Sequence, residues 1–95
     1  MEIKKLQEGA KLTLAPLGRV DTLTAPDLEA AVVVDGVDEL VFDLASVDYI
    51  SSAGLRVLLS AQKKMATKSM VIVHVAPAVR EVFDITGFSD IFTFG

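Results

Sequence analysis

The chain has 95 residues, 52% of them hydrophobic and 23% charged, with a formal net charge of −4. That is the length of one domain and the balance of a globular one rather than a disordered segment. The absence of cysteine excludes disulfides, thiolate catalysis and cysteine-ligated zinc, and suits a reducing compartment. The acidic balance argues against a general nucleic-acid binder, which needs a basic face to displace counterions. The longest apolar runs, Ala30 to Val34 and Met70 to Val73, fall far short of the roughly 20 residues that span a bilayer. Met1-Glu2-Ile3-Lys4-Lys5 has no apolar segment behind its charges, as a secretory signal requires. The expected location is cytoplasmic, without membrane insertion.

In chain order, Leu12 and Leu14 alternate with Lys11, Thr13 and Ala15, the period of a half-buried strand, with Leu17 as a further candidate. A shorter strand at Ile3 to Leu6 can pair with it across Glu8-Gly9. Thr24-Ala25-Pro26-Asp27 then reads as a helix start. Thr24 is a good N-cap, Pro26 sits in the first turn, and Asp27 suits the positive helix end. Leu28, Ala31 and Val32 form its apolar stripe and Gly36 is the expected stop, although the β-branched run Val32-Val33-Val34 opposes a helix that long. Glu39 to Leu44 alternates again, with Leu40, Phe42 and Leu44 on one face and apolar Val41 on the other, as in a central strand.

Ser51 or Ser52 caps a second helix running to about Thr67, with Leu55, Leu58, Leu59 and Met65 or Ala66 inward and Arg56, Ser60, Lys63, Lys64 and Thr67 outward. Met70 to Val75 is nearly all apolar, which implies burial on both faces. Pro77 opens a third helix with Val79, Val82 and Phe83 inward. Gly87 ends it, and Phe88 is placed for the hydrophobic contact of a Schellman end. Ile91 to Phe94 forms a last short strand. The order β-β-α-β-α-β-α-β implies an α/β domain with a mixed sheet, right-handed crossovers, and one face left partly open by so few helices.

Chemistry concentrates at Val47-Asp48-Tyr49-Ile50-Ser51-Ser52-Ala53-Gly54-Leu55, where a central strand leads into a helix N-terminus. In open α/β sheets that rim is where ligands and partners dock. Small residues from Ser51 to Gly54 admit a close surface, and a phosphate on Ser52 would meet free backbone N–H groups. Read locally, the two serines are ordinary caps.

Three segments in register add a resemblance that spans nearly the whole chain. Tyr49-Ile50-Ser51-Ser52-Ala53-Gly54-Leu55 resembles the phosphorylation-site turn of the STAS domain, found in bacterial anti-sigma factor antagonists and sulfate transporter tails. Gly18-Arg19-Val20-Asp21 with Thr24-Ala25 resembles the family's Gly-Glu-Leu-Asp…Thr-Ala segment. Phe83-Asp84-Ile85-Thr86-Gly87 resembles its Phe-Asp-(Ile/Met)-(Thr/Ser)-Gly segment. The resemblance implies a STAS-like sheet with helices mainly on one face, and Ser52 as phospho-acceptor. It places Asp21, Thr22, Thr24, Ser51, Ser52, Ala53, Gly54 and Arg56 on a partner-binding surface. The family's aspartate before the acceptor is Ser51 here, its following Ser or Thr is Ala53, and the acid after its first glycine is Arg19. The partners implied are an anti-sigma factor serine kinase of the GHKL type and a PP2C-type phosphatase. The domain needs no cofactor of its own, since ATP belongs to the kinase. The alternative is a non-switched STAS accessory subunit of a transporter or signalling scaffold.

An enzyme is a poorer reading. His74, the only histidine, falls in a strand expected to be buried, and a serine without a general base is a weak nucleophile. Asp43, Asp48 and Asp84 define no carboxylate pair by spacing. No nucleophile elbow, P-loop or dinucleotide fingerprint is present. Lys63, Lys64 and Lys68 read as a solvated face. Phe88, Phe92 and Phe94 are either core or an exposed patch.

Overall fold

The alternation at Leu12 and Leu14 places one face of a strand against the core, and matching alternations elsewhere set the register of the sheet around it. In the computed structural model, which describes residues 1–95, β1 (Ile3–Glu8) and β2 (Lys11–Pro16) form an antiparallel hairpin. β4 (Glu39–Asp43) joins β2 in parallel and β6 (Ser69–Val73) joins β4 in parallel, giving the order β1-β2-β4-β6. Leu12, Leu40 and Met70 form one buried row across the sheet, and Leu14, Phe42 and Ile72 form the next. The helices α1 (Ala25–Ala31), α2 (Ser52–Met65) and α3 (Pro77–Thr86) cover this face. The opposite face carries the row Leu6, Thr13, Val41 and Val71 and stays partly open. No helix is long and apolar enough to cross a membrane.

Several elements differ from expectation. A second, two-stranded parallel sheet, β3 (Gly18–Val20) with β5 (Val47–Ile50), stands outside the expected order. Leu17 is not in a strand: β2 ends at buried Pro16, and Gly18, at φ +90°, turns the chain into β3. The helix α1 stops at Ala31, because Val32 to Val34 are β-branched and resist helix, while Gly36, at φ +73°, belongs to the later turn before β4. Val32 still buries itself in the core. The helix α2 ends at Met65 rather than Thr67, and Ala66, at φ +43°, leaves it exposed.

The expected burial of Met70 to Val75 on both faces is also corrected. Met70 and Ile72 are buried, but Val71 and Val73 are only half-buried, because no helix covers the second face. His74 lies past the strand end, exposed and at φ +57°, with its Nδ1 3.1 Å from Asp43 Oδ1. The last strand reduces to a single bridge between Phe94 and Ile72.

Gly87 ends α3 in the left-handed conformation, its N–H reaching the carbonyls of Phe83 and Asp84. The chain then folds back through a 3₁₀ turn, so that Phe92 and Phe94 meet Phe83 edge-on at 5.8 and 5.3 Å. The C-terminal aromatics are therefore core and not a patch. Phe83→Ala removes the centre of this cluster and should cost about 3–5 kcal/mol. Urea denaturation should show the fall as a lower midpoint with an unchanged slope.

Candidate functional site

Two short strands organise the site. β3 and β5 pair in parallel with Val20 beside Ile50, and the Ser51 N–H donates to the Val20 carbonyl at 2.8 Å. The loop after β3 and the turn after β5 therefore leave the small sheet side by side. Gly54 makes this possible. A Cβ there would lie 2.7 Å from both Val20 Cγ1 and Ile50 Cγ1, and 3.1 Å from the Val20 carbonyl oxygen. Only glycine lets the first turn of α2 sit this close to the strands.

The serines divide the work that either could have done. Ser51 is the N-cap: its backbone is extended, and its Oγ accepts the Gly54 N–H at 3.4 Å. Ser52 is the first helical residue, exposed, and its hydroxyl makes no hydrogen bond within the protein. The first turn of α2 contains no acidic residue.

The neighbouring loop is held from inside. Asp21 Oδ1 accepts the backbone N–H groups of Leu23 at 3.0 Å and Thr24 at 3.1 Å. Thr24 Oγ1 accepts the Asp21 N–H at 2.9 Å and donates to the Arg19 carbonyl at 2.7 Å. Thr24 thus stands at the N-cap position of α1 without capping it through its side chain, because that hydroxyl closes the loop instead. The Thr24 N–H holds the Asp21 carboxyl below its ordinary value of 3.8 against a desolvation cost, helped by the Leu23 N–H, the Thr24 hydroxyl and Arg19. Arg19, placed where the resemblance puts an acid, lies 3.5 Å from Asp21 Oδ2 and stacks 4.1 Å above the Tyr49 ring.

Thr22, Ala53 and Arg56 line a cleft of about 310 Å³ between α1 and α2, with Pro26 and Glu29 on the α1 side. All eight expected binding residues thus gather at one rim. Asp21, Thr24, Ser51 and Gly54 build it, while Thr22, Ser52, Ala53 and Arg56 present it. Leu23 was missed by sequence reasoning. It is 87% exposed, the highest value among the exposed large hydrophobic residues, and Asp21 fixes its backbone. Its signal was an apolar residue inside the polar turn Asp21-Thr22-Leu23-Thr24.

His74 makes no hydrogen bond to Ser52; its Nδ1 lies against Asp43. Burial raises the Asp43 carboxyl, but the Ala45 N–H and His74 outweigh this and hold it below its ordinary value. No group of three or more His, Cys, Asp or Glu side chains is arranged to hold a metal ion.

Known proteins share this fold. The family model of the STAS domain matches residues 3–95. A Bordetella bronchiseptica protein named as a candidate anti-sigma factor antagonist, BtrV, is 45% identical over 80 residues, covering 79% of this chain and 69% of its own. The crystal structure of an anti-sigma factor antagonist from Mycobacterium paratuberculosis superposes with a TM-score of 0.88 at 28% identity, covering 98% of this chain and 83% of that one. The antagonist SpoIIAA in its unphosphorylated form has a TM-score of 0.82 at 14% identity, with 99% of this chain and 88% of that one covered. Its phosphorylated form has a TM-score of 0.75 at 12% identity, with coverage of 99% and 91%. At those identities the SpoIIAA likeness shows the fold.

Gly54→Ala forces a methyl group against Val20 and Ile50 and should cost about 1–3 kcal/mol. Thermal melting should show the loss, and the Ser51 amide should exchange faster because its bond to Val20 is strained. The Asp21 carboxyl stabilises the native state at pH values above its unfolded value of 3.8, and this contribution is lost as pH falls through its lowered folded value. Asp21→Ala should therefore melt below the native protein at neutral pH, with the gap narrowing as pH falls below 3.8.

Proposed function

The chain belongs to the STAS domain family, and on that premise we propose that it is an anti-sigma factor antagonist working as a protein-binding switch. With Ser52 unmodified, the rim formed by Asp21, Thr22, Thr24 and Ser51 to Arg56 docks on an anti-sigma factor that is a GHKL-type serine kinase. That kinase transfers the γ-phosphoryl group of ATP to Ser52 Oγ, releasing ADP and the hydroxyl proton, and the complex separates. A PP2C-type phosphatase hydrolyses the ester with water, returning Ser52 and inorganic phosphate.

The observation that carries this reading is the state of Ser52: exposed, unengaged, and seated at the start of α2 beside the rigid Asp21 loop. A phosphate there adds about −1.5 to −2 charges to the centre of the docking rim. The same charge sits well on its own helix, where an exposed N-terminus favours an anion by about 0.3–1 kcal/mol. Binding is therefore far more sensitive to the modification than folding is. Two relatives add support: BtrV by its name, and SpoIIAA by having been solved in both phosphorylated and unphosphorylated forms. One observation favours the alternative of a non-switched STAS module. Ser51 caps α2 without a charge where the family has an aspartate for a kinase to read.

Incubation with the partner kinase and ATP should place one phosphate on the native protein and none on Ser52→Ala, as read by mass spectrometry. Ser52→Ala should keep its affinity for the kinase, and Ser52→Asp should lose at least about tenfold, the factor that 1.4 kcal/mol carries. Unchanged binding by Ser52→Asp, with no phosphate on the native chain, would establish the non-switched reading instead.

A further inference from the structure

The chain has three arginines, and two of them have both an acidic and an aromatic partner. Arg19 pairs with Asp21 and stacks on Tyr49, and Arg80 pairs with Asp84 and stacks on Phe94 at 3.9 Å. Arg56 has neither kind of partner: no carboxylate lies within 4.0 Å of it and no ring lies beneath it. It is exposed on α2 four residues after Ser52, the spacing at which helical side chains meet. Glu29 shares its cleft without forming an ion pair.

We propose that Arg56 is the ligand of the phosphate on Ser52, and that the guanidinium the phosphate captures is the one an acidic group of the anti-sigma factor engages in the unmodified state. The proposal rests on the reading of Ser52 as the phospho-acceptor and names the residue through which the modification acts. A phosphate with an arginine at i+4 forms a charge-assisted, bidentate pair along the helix face. On α2 itself no acid competes for the arginine, because the first turn has none and its cap is neutral, and Glu29 across the cleft forms no ion pair with it. Phosphorylation then changes the rim twice. It adds negative charge at Ser52 and withdraws the positive charge of Arg56 from the partner. A kinase surface built to accept the unmodified rim meets both changes at once.

The test uses the full chain with phosphoserine installed at position 52 during synthesis, so that it does not depend on any kinase. Phosphorus NMR then follows the second ionisation of the phosphate against pH. In the native background the midpoint should lie about 0.3 pH unit below that in Arg56→Gln, the size expected of an i,i+4 ion pair. Arg56→Lys should keep part of the shift. Lys63→Gln, at the far end of α2, should titrate as the native chain does. Coincident titrations of the native chain and Arg56→Gln would overturn the phosphate pairing. In the unmodified state Arg56→Gln should bind the anti-sigma factor more weakly than the native chain, and equal affinities would overturn the shared use of this cation. Failure of the kinase to phosphorylate the native chain would sink the switch itself while leaving the titration result standing.

Discussion

The missing Cβ of Gly54 is the constraint on which the candidate site depends. Val20 and Ile50 are buried side chains of the small parallel sheet, and they occupy the space that any other residue at 54 would need. Close approach of the helix to this pair brings the Ser51 N–H onto the Val20 carbonyl. That one bond joins the end of β3 to the start of α2. Together with the pairing of β3 and β5, it makes the Asp21 loop and the Ser52 turn one rim. Glycine is tolerated so near a helix start because the neutral cap of Ser51 and the packing of Leu55 and Leu58 offset its conformational cost.

The rim combines a rigid half with a free half. On the rigid side, the Asp21 carboxylate, the Thr24 hydroxyl and the Arg19 carbonyl satisfy one another, and the Arg19 side chain rests on Tyr49. Order in this loop is present before any partner arrives, so binding does not have to supply it. On the free side, the Ser52 hydroxyl and the Arg56 guanidinium have no partners in the protein. In the proposed switch, modification of one atom changes the charge of this surface while its shape is held by others. This matches the requirement of a switch that alters binding without unfolding.

The large sheet supplies the foundation but takes no direct part. Its buried rows, from Leu12 through Leu40 to Met70 and from Leu14 through Phe42 to Ile72, anchor the three helices on one face. The aromatic cluster around Phe83 ties the C-terminal chain to α3. The other face is left half-covered, which is why Val71 and Val73 are less buried than a continuous apolar run suggests.

Sequence by itself determined what depends on local period and local capping. The alternation of Leu12 and Leu14, the alternation of Leu40 and Phe42, the apolar stripe of α2 and the Pro77–Gly87 limits of α3 were all legible, because each element reports its own buried face within a few residues. The segments around Asp21, Ser52 and Gly87 were legible differently, through their resemblance to STAS-family motifs. Tertiary structure alone decided the pairing of β3 with β5, since strands of three and four residues are too short to show a period and their partner lies far along the chain. It decided that Ser51 caps while Ser52 stays free, a choice made by the position of the helix against Val20. It moved His74 out of the core, because β6 ends with its parallel neighbour β4 and the next residue turns away at positive φ. It also left Arg56 without a partner, since whether a charge finds an opposite charge depends on which distant residues folding brings within reach.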